Sequence, residues 1–461
     1  MNENESDALG FNRRDFLKGG SVATLMTMLG GVRLLGQTNA PDSGKIELKP
    51  PNAKVGVIGL GTRGREIVNT LTRMNAQVTA ICDNYPAALS RCGREAPKAA
   101  QVKESQGIFD DKEIKAVIVA TPTHLHKDLA LLALKAGKHV YCEAPLANTI
   151  EDARAIALAA KTAKEQLFQA GLQNRSDPER VFLVPFIRSG ALGQIVMARA
   201  QWHRKNSWRA AAANEARAKA LNWRLDKAIS LGLEGEIGCH QVDEVNWFLR
   251  ARPVAVTGFG SIALWNKENK ETPDDREVAD TIEAVFEYSD GVRLTYDATL
   301  ANSFEAEHQV YYGSYAAVML RDDKAWLFQE TDSPQMGWEI FARRDPFYKT
   351  TGIALVVDAT KSVQKAKPVE EEPFKNTPLA HALENFLRNV DDFAFELGQA
   401  RETYKDDQEA ITDQANEKRK HLRPGASYLE GFHATVIAVK AHEAVASGKR
   451  IEIPRDLYEL A

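Results

Sequence analysis

Two stretches of this 461-residue chain hold residue types whose spacing can do chemistry. In GEIGCHQVDEV, Glu236, His240 and Asp243 stand at i, i+4 and i+7, one face of a helix if the segment is helical throughout. An unperturbed imidazole titrates near about 6.5, which suits His240 to take a proton from a hydroxyl at neutral pH. Two alternatives stay open. His240 can be a helix histidine satisfied by Asp243, or the three can bind a divalent ion, for which carboxylate and imidazole are natural ligands.

The second stretch is KVGVIGLGTRG. Gly59, Gly61 and Gly64 follow a β-branched run, Val55 to Ile58, at G-x-G-x-x-G spacing, with Thr62 and Arg63 between them. Behind them Ile67, Leu71 and Met74 repeat at helical spacing, and a second apolar strand, QVTAIC, ends at Asp83. This order is that of a dinucleotide site: Gly59 for the tight turn, Gly61 for close approach of the pyrophosphate, Gly64 for helix-on-strand packing. The helix N-terminus offers free N–H groups to the phosphates. Asp83 lies where a carboxylate accepts hydrogen bonds from the adenosine ribose. It repels a 2′-phosphate, so NAD is favoured over NADP, although Arg63, Arg91 and Arg94 are close in sequence.

These residues need a frame. AVIVATP (116–122), KDLALLALKAGK (127–138) and HVYCEAP continue a strand–helix alternation, with Gly137 as a C-terminal helix cap. The fold class is therefore α/β, beginning with a doubly wound parallel sheet. Thr121, Pro122 and His124 fall at its carboxyl edge, where such sheets bind ligand. Beyond it, 194–203, 255–265, 281–288, 293–300 and 308–314 read as strands with few helices between them, which indicates an open mixed or antiparallel sheet. Residues 395–424 are highly charged and helix-prone and are expected to form an exposed insertion.

VGVIGLGTRG, VATPTHLHKDLALLALKAGKHVYCEAP, GEIGCHQVDEVNWFL and the C-terminal SYLEGFHATVIAVKAHEAVASGKRIEIP resemble the glucose–fructose oxidoreductase, inositol dehydrogenase and MocA family. The resemblance implies a Rossmann domain, an α/β domain whose large sheet forms a homo-oligomer interface, and a sugar or polyol bound between them. It implies His240 as base with Asp243 orienting it, and Glu236 where the family has Asp. His126 fits a family position too. Asn174 and Arg175 match a segment that crosses towards the substrate. Trp223 and Arg224, with Trp202, His203 and Trp208, make an aromatic and basic patch of the kind that stacks on sugar rings. One motif departs. The family's Glu-Lys-Pro reads Glu143-Ala144-Pro145 here, and alanine can neither donate a hydrogen bond nor hold a charge beside an alkoxide. The same lysine is lost in the family's NAD-dependent glycosidases; Lys205 and Arg175 are candidate substitutes.

The N-terminus, NRRDFLKGGSVATLMTMLGG, runs basic, apolar, then small, and resembles a twin-arginine export signal around Arg13 and Arg14. Pro41 after Thr38-Asn39-Ala40 would hinder cleavage, which leaves the signal as a possible membrane anchor. The expected organisation is signal 1–40, linker 41–52, nucleotide-binding domain 53–172 and substrate domain 173–461. A formal charge of −4, from 59 basic and 63 acidic side chains, gives no reason to expect nucleic acid. Cys82, Cys92, Cys142 and Cys239 lack metal-type spacing and read as buried thiols, and no metal is expected. Free dinucleotide is scarce outside the cytoplasm, so an exported protein would carry tightly held NAD and recycle it internally. The readings are a periplasmic NAD(P)-dependent sugar oxidoreductase, an NAD-dependent glycoside hydrolase, or an inactive nucleotide- and sugar-binding protein.

Overall fold

The computed structural model describes residues 50–269, 274–321, 324–333, 343–344, 351–355 and 377–460. The expected export signal and most of the linker lie outside the described residues.

The first sheet comprises β1 (Val55–Ile58), β2 (Val78–Cys82), β3 (Ala100–Val102), β4 (Ala116–Val119), β5 (His139–Cys142) and β6 (Phe168–Ala170). All pair in parallel, in the order β3-β2-β1-β4-β5-β6. The order reverses between β1 and β4, which opens a crevice at their carboxyl ends. β1, β4 and β5 are buried at every position, as a sheet covered on both faces requires. The helices α1 (Thr62–Arg73), α2 (Pro86–Glu95), α3 (Gln106–Phe109), α4 (His126–Lys135) and α5 (Ile150–Thr162) make the connections. α1 turns Ile67, Val68 and Leu71 inward, and Gly137 adopts φ +76 just past α4.

The second sheet has ten strands: β7 (Ile195–His203), β8 (Pro253–Ser261), β9 (Thr281–Tyr288), β10 (Arg293–Thr299), β11 (Glu307–Gly313), β12 (Ala316–Arg321), β13 (Lys324–Gln329), β14 (Arg343–Arg344), β15 (Thr351–Leu355) and β16 (Ile451–Glu452). Only β7 and β10 pair in parallel, so the sheet is mixed, as expected. Before β7 comes α6 (Pro178–Arg188), and between β7 and β8 come α7 (Glu215–Leu221), α8 (Gly232–Glu236) and α9 (Gly238–Leu249).

After the second sheet, α10 (Pro378–Tyr404) and α11 (Gln408–Arg419) form a hairpin, and α12 (Tyr428–Ser447) follows. The expectation of an exposed insertion at 395–424 is corrected here. Leu383, Phe386, Phe393, Leu397, Ile411 and Ala415 are buried in one cluster with Val55, Ile67, Leu71, Ile118 and Tyr141. Each buried leucine, isoleucine or phenylalanine among them contributes about 1.5–3 kcal/mol relative to exposure. The charged residues occupy only the outer faces of an amphipathic pair. A division at residue 172 therefore does not separate the two cores: this late hairpin covers the first sheet. α12 packs on β8 and α5, tying both domains together. All four cysteines are buried thiols.

Candidate active site

The three glycines divide their work. Gly59 sits at φ +90, and a Cβ there would lie 2.7 Å from the Ala120 carbonyl and the Thr121 nitrogen. At Gly64 a Cβ would fall 1.8 Å from the Gly59 oxygen. Nothing stands within 4 Å of the Gly61 Cβ position, so this glycine leaves open space in front of α1. Thr62 begins that helix, exposed, and no side chain caps it. Asp83 accepts the Leu60 N–H at one oxygen and the Tyr85 N–H at the other, both at 2.8 Å, which fixes the carboxylate beside the loop. A groove with free amides at one end and a held carboxylate at the other fits a dinucleotide's pyrophosphate and ribose.

The ends of β4 and β5 form the next wall. His126 reaches the carbonyls of Thr121 at 2.9 Å and of Pro145 at 3.0 Å. It is thus a buried staple between the two strand ends, and burial lowers it to about 4. The Thr121 hydroxyl and His124 Nδ1 are buried without a hydrogen-bond partner, polar atoms left over beside the groove. Pro122 precedes a short turn in which Thr123 donates to Glu236 at 2.8 Å. Glu143 is buried, and Gly171 lets β6 approach it: a Cβ there would lie 2.8 Å from the Glu143 Cα. Ala144, before the cis Pro145, packs against Leu231, Cys239 and Ala438. Residue 144 itself therefore supplies no ammonium.

The cation beside Glu143 is one the sequence assigned to the cofactor loop. Arg63 Nε lies 3.2 Å from Glu143, and its other nitrogens donate to Glu66 and Gln173. Burial still pushes the Glu143 carboxyl upward against that attraction. Neither proposed substitute for a lysine does this: Arg175 is engaged elsewhere and Lys205 is exposed. No spacing rule links Arg63 to residue 143; only the parallel sheet brings α1 and the end of β5 together.

The helical face expected for Glu236, His240 and Asp243 is interrupted. Gly232, Gly235 and Gly238 weaken helix propensity, and the chain breaks at Ile237 (φ −113, ψ −51) between α8 and α9. Glu236 is held by Thr123 and, at 3.1 Å, by the Leu231 N–H, and burial raises its pKa. His240 and Asp243 share α9 but not a hydrogen bond. Arg175 takes both Asp243 oxygens in a fork at 2.8 and 2.9 Å, so Asp243 orients Arg175, not His240. Asn174 likewise binds Glu244, at 2.6 Å. These two positions, expected to face substrate, have their polar ends occupied by α9. His240 is partly exposed; burial and the Arg63 charge lower it to about 4, well below an ordinary imidazole. It is neutral at pH 7, and a weaker base than the free imidazole expected from the sequence. With Glu236 and Asp243 occupied in this way, the three do not converge as ligands, and no cluster of three metal-binding side chains occurs among the described residues.

The aromatic patch assembles in part. Arg224 stacks on Trp223 at 4.5 Å and lies 5.9 Å from the Trp208 ring, while His124 meets Trp223 edge-on at 6.0 Å. Trp202 packs on the main core instead, and His203 bonds Asp297 at 2.6 Å on the sheet. Both are neighbours on β7, whose alternation sends Trp202 to the core face with Ala198 and Ala200 and His203 to the opposite face with Asp297.

A family model described as an oxidoreductase family with an NAD-binding Rossmann fold matches residues 53–171, and one described as the GFO/IDH/MocA C-terminal domain matches 185–315. Similar curated proteins include inositol 2-dehydrogenase 2 of Saccharopolyspora erythraea, 31% identical over 44% of this chain and 56% of the relative. Levoglucosan dehydrogenase of Pseudarthrobacter phenanthrenivorans is 30% identical over 37% of this chain and 42% of its own. A glycosyl hydrolase family 109 protein of Shewanella amazonensis is 32% identical over 31% of this chain and 35% of its own. The alignments thus span about a third to just over half of these relatives. A levoglucosan dehydrogenase structure in complex with NADH superposes with a TM-score of 0.63 at 18% identity, over 87% of this chain and 99% of that one. This likeness is one of fold.

Proposed function

We propose, since the chain belongs to the GFO/IDH/MocA oxidoreductase family, that it oxidises and re-reduces a sugar or sugar derivative with NAD that it holds through successive turnovers. The observation that carries the reading is the meeting of the NAD groove with a polar wall. Glu143 and Arg63, the Thr123–Glu236 hydrogen bond and the stacked Trp223–Arg224 pair all lie around the carboxyl ends of β4 and β5. Bound NAD supplies a hydride acceptor. Neutral His240 takes the hydroxyl proton, Arg63 holds Glu143 against the strand end, and the buried Trp223 indole backs the partly exposed Arg224 guanidinium beside them. The Arg13-Arg14 segment supports export in folded form with NAD already bound.

A second reading is a glycoside hydrolase that uses transient oxidation, elimination, water addition and re-reduction. Ala144 favours it, because residue 144 carries no ammonium, and so does Glu236, whose raised pKa equips it to donate a proton to a leaving group. Denaturing protein purified from the export compartment and identifying the released nucleotide tests the common premise: stoichiometric NAD or NADH is expected, and empty protein without affinity for added NAD overturns it. Hydrolysis of an aryl glycoside, with hydrogen exchange at a ring carbon and no net NADH, selects the second reading over the first.

The second sheet is covered on one face by α9 and α12. Met197, Phe259 and Val285 are exposed on strands β7, β8 and β9. A second copy of the chain covering the face opposite these helices accounts for them. Light scattering of the eluted protein is expected to give a multiple of 51.0 kDa.

A further inference from the structure

Arg224 is a cation waiting for an anion. Its neighbours in charge are already engaged: Glu143 by Arg63, Glu236 by Thr123 and the Leu231 N–H. Arg224 has no hydrogen bond or ion pair with any described residue; only the faces of Trp223 and Trp208 hold it. It is partly exposed, so a ligand can reach it. Burial lowers its pKa while Glu236 and Glu143 pull the other way.

The stacking is built at some cost. Trp208 takes φ +60, a left-handed conformation that bulky residues avoid and that persists only where surroundings enforce it. Asn206 accepts the Trp208 N–H at 2.8 Å, and Arg209 is forked onto buried Asp274 at 2.7 and 3.0 Å. Beside Trp223, His124 leaves Nδ1 buried and unpartnered. The set is therefore a planar guanidinium between aromatic faces, with a spare polar nitrogen next to it.

We propose that Arg224, clamped by Trp208 and Trp223, is a carboxylate subsite, and that the substrate is an acidic sugar such as a uronic acid or its glycoside. The inference rests on the sugar-oxidoreductase reading. A guanidinium fork matches a carboxylate in geometry. It also matches in charge: Arg63 and Arg224 face Glu143 and Glu236, so a monoanion is accommodated where a dianionic phosphate would meet two carboxyl groups.

The test uses the full chain with its own nucleotide, following tryptophan fluorescence. It is titrated with methyl glucuronoside and methyl galacturonoside, the corresponding neutral glycosides, and glucose 6-phosphate. A uronoside is expected to bind about 10- to 100-fold more tightly than its neutral counterpart, the worth of a charge-assisted hydrogen-bond pair. Arg224→Gln should abolish that preference and Arg224→Lys retain part of it, with nucleotide content and circular dichroism unchanged. The proposal is overturned if neutral sugars or the phosphate bind as well, if nothing binds, or if Arg224→Gln keeps the preference. It is overturned too if both variants lose nucleotide or fold, which would make Arg224 a cofactor or structural residue. Wild-type protein that neither carries nor binds NAD fails the oxidoreductase reading itself, and a uronoside preference in that protein leaves the subsite standing.

Discussion

The Arg217 guanidinium lies 3.7 Å from the centre of the Tyr85 ring, so α7 of the second domain touches the first domain two residues beyond Asp83. Arg217 Nε is buried there without a hydrogen-bond partner. Tyr85 also donates its backbone N–H to Asp83, the carboxylate placed for the ribose, so the contact adjoins that end of the groove. A cation–π pair of this kind is worth about 0.5–2 kcal/mol, so Arg217→Ala or Tyr85→Ala is expected to speed NAD release by about 2- to 30-fold. Cofactor retained after timed gel filtration measures it, and unchanged retention in both variants would show that the contact does not gate release.

Gly61 and Gly64 separate binding from folding. Gly61→Ala puts a methyl group into open space, so the urea midpoint should stay within error while NAD affinity falls at least tenfold. Gly64→Ala drives a Cβ into the Gly59 carbonyl, so it should lower both together. Denaturation of the apoprotein and calorimetric titration with NAD distinguish the two outcomes.

The Arg175–Asp243 fork joins a buried carboxylate to a mostly buried guanidinium. Removing one partner leaves an uncompensated charge, so Arg175→Ala should cost about 3–5 kcal/mol of stability. Arg175→Lys should recover only part, because an ammonium cannot make the fork. Equal stability of Arg175→Ala and wild type would refute this account of the pair.

His139 sets part of the acid sensitivity. It accepts the Leu167 N–H at 2.9 Å, and burial, with Arg419 and Lys115 nearby, lowers it to about 4 from 6.5. Between those values the unfolded chain binds a proton that the native state refuses. Stability is therefore complete above pH 6.5 and is lost as pH falls through that window. His139→Gln keeps an acceptor but does not titrate. Its loss of stability between pH 7 and pH 5 should be smaller than that of the wild type by about 2 kcal/mol; an unchanged difference between the two pH values would show that His139 does not contribute.

The first domain could be read from the chain because its signals are local. The β-branched runs, the glycine spacing and the Gly137 cap each act within a few residues, and the strand limits at 281–288 coincide with β9. The charge of α10 and α11 misled because the apolar stripe, spaced over several turns, is diluted by acidic and basic residues. The strands β12 and β13 went unread although the sequence sets a turn-forming pair, Asp322-Asp323, between AAVMLR and KAWLFQ. At the site, residue types were legible but pairings were not. Asp243 answers to Arg175 and Arg63 to Glu143 across separations no periodicity encodes. The break at Ile237 is legible only in hindsight, from three glycines in seven residues.

The hairpin of α10 and α11 has a consequence for how the protein is made. Its apolar face completes the core behind β1 and α1, yet it is translated some three hundred residues after them. A ribosome-bound chain that has released only the first 172 residues presents a nucleotide crevice whose back is still wet. The core behind that crevice closes only once residues 378–419 have emerged, and a nucleotide module cut at residue 172 leaves its apolar back uncovered unless this hairpin travels with it.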